Sequence, residues 1–375
     1  MDQSSRHTIP LGRVFGIPVD LDYSWFLIFG LFTWMLAVGY YPQRFPQWSH
    51  AQNWLMGAIS AALLFVCVLL HELGHSLVAQ RYKVSVGRIT LFVFGGVSEI
   101  TAEPPSASAE FWISIVGPLV SLAIAFLFGQ IQLLTARGSA LYAMAGYLWL
   151  LNLALAIFNL LPGFPLDGGR VLRAVVWGAT DNFRRATTIA ASTGRFFGYA
   201  MIFFGLWSVL RGDIVGGLWI AFIGWFLESA AAAQIQQTLV KGLLVGHKVS
   251  EVMNRNFLSL DGTMTIADVV EHHVLAAGRR AFLVSQNGHP AGLLTLSAIR
   301  QVPREAWSTT TAAQAMIPIA DAVAIPGSAE LWTAFEKMGR DGVNQLPVVE
   351  DGSVVGMLSR DDVVDYLRLL QQIGA

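Results

Sequence analysis

The chain has 375 residues, of which 54% are apolar and only 13% charged, and its net charge is −1. A soluble domain carries roughly 25% charged residues, so this composition excludes a disordered chain and argues against a wholly soluble one. So small a net charge gives no ground for nucleic-acid binding. The charge is also uneven: residues 1–240 carry 13 Lys/Arg and 11 Asp/Glu, and the shorter stretch 241–375 carries 11 and 14. The first part reads as membrane-embedded and the second as soluble, so the expected domains are 1–240 and 241–375. The single cysteine, Cys67, excludes an internal disulfide. No charged-then-apolar leader with a small-residue cleavage site opens the sequence, so no cleaved signal peptide is expected.

In chain order, residues 8–20 combine Gly, Pro and β-branched residues and read as extended. A bilayer core of about 30 Å needs about 20 apolar helical residues, and the uncharged stretches 23–43, 45–70, 111–136 and 138–166 meet that length. Between the second and third, residues 84–101 are β-rich and broken at Gly95-Gly96. Strands near a membrane must be covered by protein or wetted, so a small sheet lining a cavity near the inner face is expected. Two shorter uncharged stretches, 196–210 and 214–227, read either as two further spans or as a short helical hairpin at the bilayer edge. With six spans, an inside N-terminus places most of the Lys/Arg in inner segments and leaves only Arg44, Arg137 and Arg211 outside. The chain is therefore expected to be a multi-pass integral protein of a prokaryotic plasma membrane, with both termini cytoplasmic.

His71, Glu72, His75 and Asp167 interrupt these apolar runs. A charge at bilayer depth costs roughly 2.5–3.5 kcal/mol on insertion scales and marks a functional candidate. His71-Glu72-Leu73-Gly74-His75 has the H-e-x-x-H spacing, which puts both imidazoles on one helix face with the glutamate beside them. That arrangement suits zinc with two histidine ligands and a glutamate base, and a catalytic zinc takes a third protein ligand. Asp167 is the one acidic residue in 138–169, and Pro162, Gly163 and Pro165 break the helix ahead of it. At 1.5 Å per residue, His71 lies about 26 Å below an outer start near Trp54, so both motifs fall near the inner surface.

This motif in a membrane helix, followed by Asn159, Pro162, Pro165 and Asp167-Gly168 in a later one, resembles the site-2 protease family of intramembrane zinc metalloproteases. The resemblance covers about residues 10–230. It implies one Zn2+ per chain held by His71, His75 and Asp167, with Glu72 as catalytic base. Gly117-Pro118-Leu119-Val120-Ser121 is similar to the family's helix-packing motif. Asn159 matches an asparagine assigned to substrate or oxyanion contact, and it reads equally as a helix-breaking hydrogen bonder. A substrate helix must unwind to be cut, and Phe94, Gly95, Gly96 and Val97 are placed to hold it extended by edge pairing.

The tail repeats itself. Gln286-Asn287-Gly288 recurs as Glu350-Asp351-Gly352, and Gly292-Leu293-Leu294-Thr295 recurs as Gly356-Met357-Leu358-Ser359. Each unit reads strand, helix, strand, turn, strand, helix. This resembles an α/β tandem pair of cystathionine-β-synthase-type (CBS) domains at about 248–305 and 311–372. The resemblance implies an adenine nucleotide (ATP, ADP or AMP) held through Thr295, Ser359 and Asp362. Ala298 stands where the first repeat would carry its acid, and a homodimerisation or docking module is the other reading.

The expected fold is thus a polytopic α-helical membrane protein of about six spans, with a small inner-face sheet, followed by a CBS pair. The expected activity is that of an intramembrane zinc endopeptidase cutting single-span membrane proteins, with the lipid bilayer and the membrane substrate as partners. A CBS-regulated transporter or channel, which would carry paired charges along several spans, and a catalytically inactive relative are the alternatives.

Overall fold

The computed structural model describes residues 8–93, 95–100, 103–276, 279–286 and 288–373. The chain divides after Thr238 into two compact units. The first unit opens with a hairpin of β1 (Thr8–Val14) and β2 (Ile17–Asp22). The first span, Ser24–Arg44, is α1 (Ser24–Trp34), a π-helical turn (Met35–Tyr40) and α2 (Tyr41–Arg44). Next comes α3 (His50–Arg81), whose Ser49 cap and Gln52 bond reciprocally to each other's backbone N–H. At 32 residues α3 is about 48 Å long, so the helix runs past the hydrocarbon core and carries the histidine motif in its final third.

After α3 the chain makes β3 (Val86–Phe92) and β4 (Gly95–Ile100), and the four strands form one sheet in the order β1-β2-β3-β4. The β2–β3 pairing is parallel, Val19 opposite Ile89, although two spans separate the strands. The expected small sheet is therefore present, and Thr8–Val14 lies in it with Gly95–Ile100 at the far edge. Helices α4 (Ala107–Leu134) and α5 (Ala140–Asn159) are capped by Ser106 and Ser139.

The fourth apolar stretch is shorter than its lack of charge suggests. Helix α5 ends at Asn159 rather than continuing to Leu166, and α6 (Asp167–Thr180) starts anew. The cause is local: neither Pro162 nor Pro165 has an N–H to give a helix. The last two stretches are longer than expected. They become α7 (Phe183–Leu210) and α8 (Ile214–Leu244), 28 and 31 residues, so the short-hairpin reading is set aside. Their charged residues stay helical partly because Arg195 pairs with Glu228 at 2.9 Å and Tyr199 joins them. The two helices meet through glycines: a methyl at Gly198 would strike Gly224, and one at Gly205 would strike Gly217 and Ala221. The six long apolar helices leave large side chains such as Phe126, Phe203 and Trp219 exposed, as lipid-facing surfaces require.

The second unit holds the two repeats. The first consists of α9 (Val249–Val252), β5 (Ser259–Asp261), α10 (Ile266–Val269), β6 (Ala281–Gln286), β7 (His289–Thr295) and α11 (Leu296–Gln301). The second consists of α12 (Ala312–Ala315), β8 (Ile317–Pro318), α13 (Leu331–Arg340), β9 (Gln345–Glu350), β10 (Ser353–Ser359) and α14 (Arg360–Ile373). There are two cores: one around Phe282, Val284 and Leu294 takes in Ala312 of α12, and the other, around Leu346, Val348 and Leu358, takes in Val249 of α9. Val240 and Leu244, at the end of α8, lie in the second core. The Ala- and Gln-rich residues 230–244 are thus the end of a helix.

Candidate metal centre

His71 and His75 lie one turn apart on the buried face of α3, and Asp167 is the first residue of α6. Their ligand atoms converge. His71 Nε2 is 3.2 Å from His75 Nε2 and 3.2 Å from Asp167 Oδ2, and His75 Nε2 is 3.3 Å from the same oxygen. A tetrahedral zinc with bonds of about 2.0–2.1 Å requires donor–donor edges of about 3.3 Å. Two imidazole nitrogens and a carboxylate oxygen facing one another repel unless a cation lies among them, so the donor set fits zinc by chemistry as well as by distance. Burial works against the charge on Asp167, but His75 and His71 outweigh it and hold the carboxyl below the ordinary carboxylate range.

Helix α4 sets the tautomers. The Ile113 carbonyl accepts a hydrogen bond from His75 Nδ1 at 2.6 Å, which leaves Nε2 with its lone pair free. His71 Nδ1 pairs with the Ser121 hydroxyl at 2.9 Å. Pro118 has no N–H for the Ser114 carbonyl and opens this turn of α4. Between these positions Gly117 faces both imidazoles: a Cβ there would collide with Nε2 of His75 and lie 2.7 Å from Nε2 of His71. The space that a methyl group would fill is the space next to the converging donors.

Asp167 reaches the histidines because the loop before it is clamped. Phe164 N–H donates to the Ala190 carbonyl of α7 at 3.2 Å. A Cβ at Gly194 would collide with the Phe164 carbonyl, and one at Gly168 would collide with the Leu160 and Leu161 carbonyls. Only glycines permit these approaches. They also bring the end of α5, beside Asn159, against the start of α6. Asn159 is half-buried, and its side chain makes no hydrogen bond among the described residues. Glu72 is half-buried and meets β4: a Cβ at Gly96 would lie 2.7 Å from its Cγ.

Rip3 of Mycobacterium tuberculosis, which carries the name of a zinc metalloprotease, is 35% identical over 98% of this chain and 95% of its own length. The chain belongs to peptidase family M50, the site-2 proteases. The M50 match covers residues 59–137 and 130–201, and the CBS domain matches 249–305 and 313–369. Another relative, the zinc metalloprotease MJ0392 of Methanocaldococcus jannaschii, is 28% identical over 98% of each chain. The solved site-2 protease of the same organism is 32% identical, covers 61% of this chain and 95% of its own, and superposes with a TM-score of 0.43. As an M50 member with CBS domains, the chain is a zinc metallopeptidase and an integral membrane protein.

Several residues around the M50 motifs were not singled out from sequence. Ser121, part of the helix-packing motif, is also the partner of His71 Nδ1, a pairing across 50 residues that no local spacing signals. The Ile113 carbonyl carries no sequence signal, because a backbone acceptor is the same in every residue. Of the expected substrate contacts, Phe94 lies outside the described residues; Gly95, Gly96 and Val97 lie on β4, with Val97 47% exposed.

In the second unit Thr295 caps α11 by accepting from Ala298 N–H, and Ser359 likewise accepts from Asp362 N–H at the start of α14. Asp362 turns back onto the start of its own helix. Its carboxylate accepts from both the N–H and the hydroxyl of Ser359, and it is not among the residues lining the nearby cavity. That cavity, about 430 Å³, is lined by Arg280, Arg300, Ser359, Arg360 and Asp361 among others. Outside the histidine cluster the first unit also holds the ion pairs Glu110–Arg173 and Arg195–Glu228.

Proposed function

We propose that this protein is an endopeptidase that cleaves transmembrane segments of single-span membrane proteins near the cytoplasmic face, with His71, His75 and Asp167 as its zinc ligands. The observation that carries this reading is the triangle of donor atoms with edges of 3.2, 3.2 and 3.3 Å. Zinc bound there supplies a Lewis acid that polarises the scissile carbonyl and lowers the pKa of water to about 7. Glu72, next to the ligands and packed against Gly96 of β4, takes a proton from the attacking water and passes it to the leaving nitrogen. Asn159 serves as a donor to the developing oxyanion. The substrate pairs with the outer edge of β4, which has no partner strand among the described residues and runs beside Glu72.

The inside placement of the N-terminus is supported by the Lys/Arg distribution, and the β2–β3 pairing puts residues 86–92 on that same side. Strands before α1 and after α3 can pair only if both lie on one side of the membrane, which requires an even number of spans between them. In the second unit, three arginines lining one cavity suit an anionic ligand, and we read it as an adenine nucleotide that modulates cleavage.

Elemental analysis combined with a cleavage assay tests the protease reading. One zinc per chain, lost in a triple variant His71→Ala, His75→Ala, Asp167→Ala, is the expected result. Stoichiometric zinc in that variant would remove the site.

A further inference from the structure

We propose that Glu110 and Arg173 are a positioning pair that fixes Asp167 against the two histidines and thereby sets how tightly the site holds its metal. The proposal rests on the reading of His71, His75 and Asp167 as ligands. Helix α4 presents one buried stripe toward the site: Ser121 holds His71, the Ile113 carbonyl holds His75, and Gly117 faces both. Glu110 is the next position of that stripe, three residues before Ile113, and is only 1% exposed.

Across from it, Arg173 donates to Glu110 Oε1 from Nε at 2.7 Å and also from Nη2. Arg173 belongs to α6, whose first residue is Asp167, about 9 Å along the helix axis. Its guanidinium is also held between two rings, 4.9 Å from the Phe164 centroid and 4.7 Å from that of Phe183. Phe164 stands in the loop that delivers Asp167. One arginine therefore grips both the helix that begins with the ligand and the loop that precedes it, and ties them to the helix that orients the other two ligands.

Stability alone does not account for the pair. A buried ion pair roughly offsets its own desolvation, and apolar residues of similar volume often do as well. An ion pair with directional N–H···O bonds does what an apolar contact does not: it fixes one register of α6 on α4. Losing that register moves Asp167 relative to the histidines while leaving the helices packed.

The test uses the full chain in detergent and measures zinc affinity by chelator competition and the visible spectrum of the Co2+-loaded protein. Glu110→Gln and Arg173→Met should each weaken zinc binding, by less than the roughly 10–100-fold that follows loss of a direct hydrogen-bond partner of a ligand, and should shift the Co2+ bands. Arg173→Lys should recover part of the affinity. Tyr41→Phe, which removes a buried bond to Ser60 far along α3, controls for general destabilisation and should bind zinc as the unmodified protein does. If the single variants fail to fold, the double variant Glu110→Leu, Arg173→Met removes both charges, and it should fold yet still bind zinc more weakly. Unmodified affinity and spectrum in the folded variants, with His71→Ala losing zinc, would overturn the positioning role alone. Unmodified affinity in His71→Ala and Asp167→Ala as well would overturn the ligand assignment itself.

Discussion

Two substitutions separate what the site residues do from what holds them. In Glu72→Gln the side chain keeps its size but cannot accept a proton. Cleavage should fall by about 10²-fold or more while zinc content stays at one per chain, and activity within tenfold of the unmodified enzyme would take Glu72 out of the base role. Gly117→Ala sets two effects against each other. Alanine favours a helix interior over glycine by about 1 kcal/mol, but its methyl would occupy the space beside both Nε2 atoms. The overlap with the two buried rings outweighs that gain, so the zinc-free variant should melt lower than the unmodified protein and its zinc content should collapse; an unchanged zinc content would show that the imidazoles have room to give. At this scale the sequence is informative where chemistry is carried by residue type, as in His71, Glu72, His75 and Asp167. It is silent where chemistry is carried by a carbonyl, as at Ile113, or by the absence of a side chain, as at Gly117.

Elements were legible where charge marks their ends and misread where it does not. The stretch 138–166 is free of charge, yet Pro162, Gly163 and Pro165 end the helix inside it. Conversely, Arg195 and Glu228 would each end an apolar stretch, yet they sit within α7 and α8 because they neutralise each other there. The strands were recognisable from their β-branched content, but which edge lies open follows only from the order β1-β2-β3-β4. That order makes a prediction for β4. Val97 is half-exposed, whereas Gly96 is turned onto Glu72. A cysteine replacing Val97 should crosslink to a cysteine near the scissile bond of a bound substrate. Crosslinks found only from the loops at the opposite face of the membrane would contradict pairing along this edge.

For the molecule as a whole, the repeat spacing in the tail was enough to recognise two CBS units, whereas the way the first unit is joined to them was not readable from composition. Ala231 and Ile235 of α8 pack with Phe164, and Leu244 of the same helix is in the core of the second repeat. If nucleotide alters cleavage, the effect requires different affinities for two states of the enzyme, and one unbroken helix is the covalent route between them. A Gly-Ser insertion after Thr238 should therefore preserve basal cleavage and abolish any nucleotide response measured in the full chain; a response that persists would require another route. The parallel pairing of β2 with β3 has a consequence for biosynthesis. The first hairpin leaves the ribosome well before its partner strand, and the sheet cannot close until α1 and α3 have both been threaded and the chain has returned to its starting side. The strand that then completes the sheet is the one that touches Glu72. A chain inserted with the wrong number of crossings would thus lack this contact to Glu72, the base proposed above, and on that reading proteolytic competence would be acquired only after correct insertion.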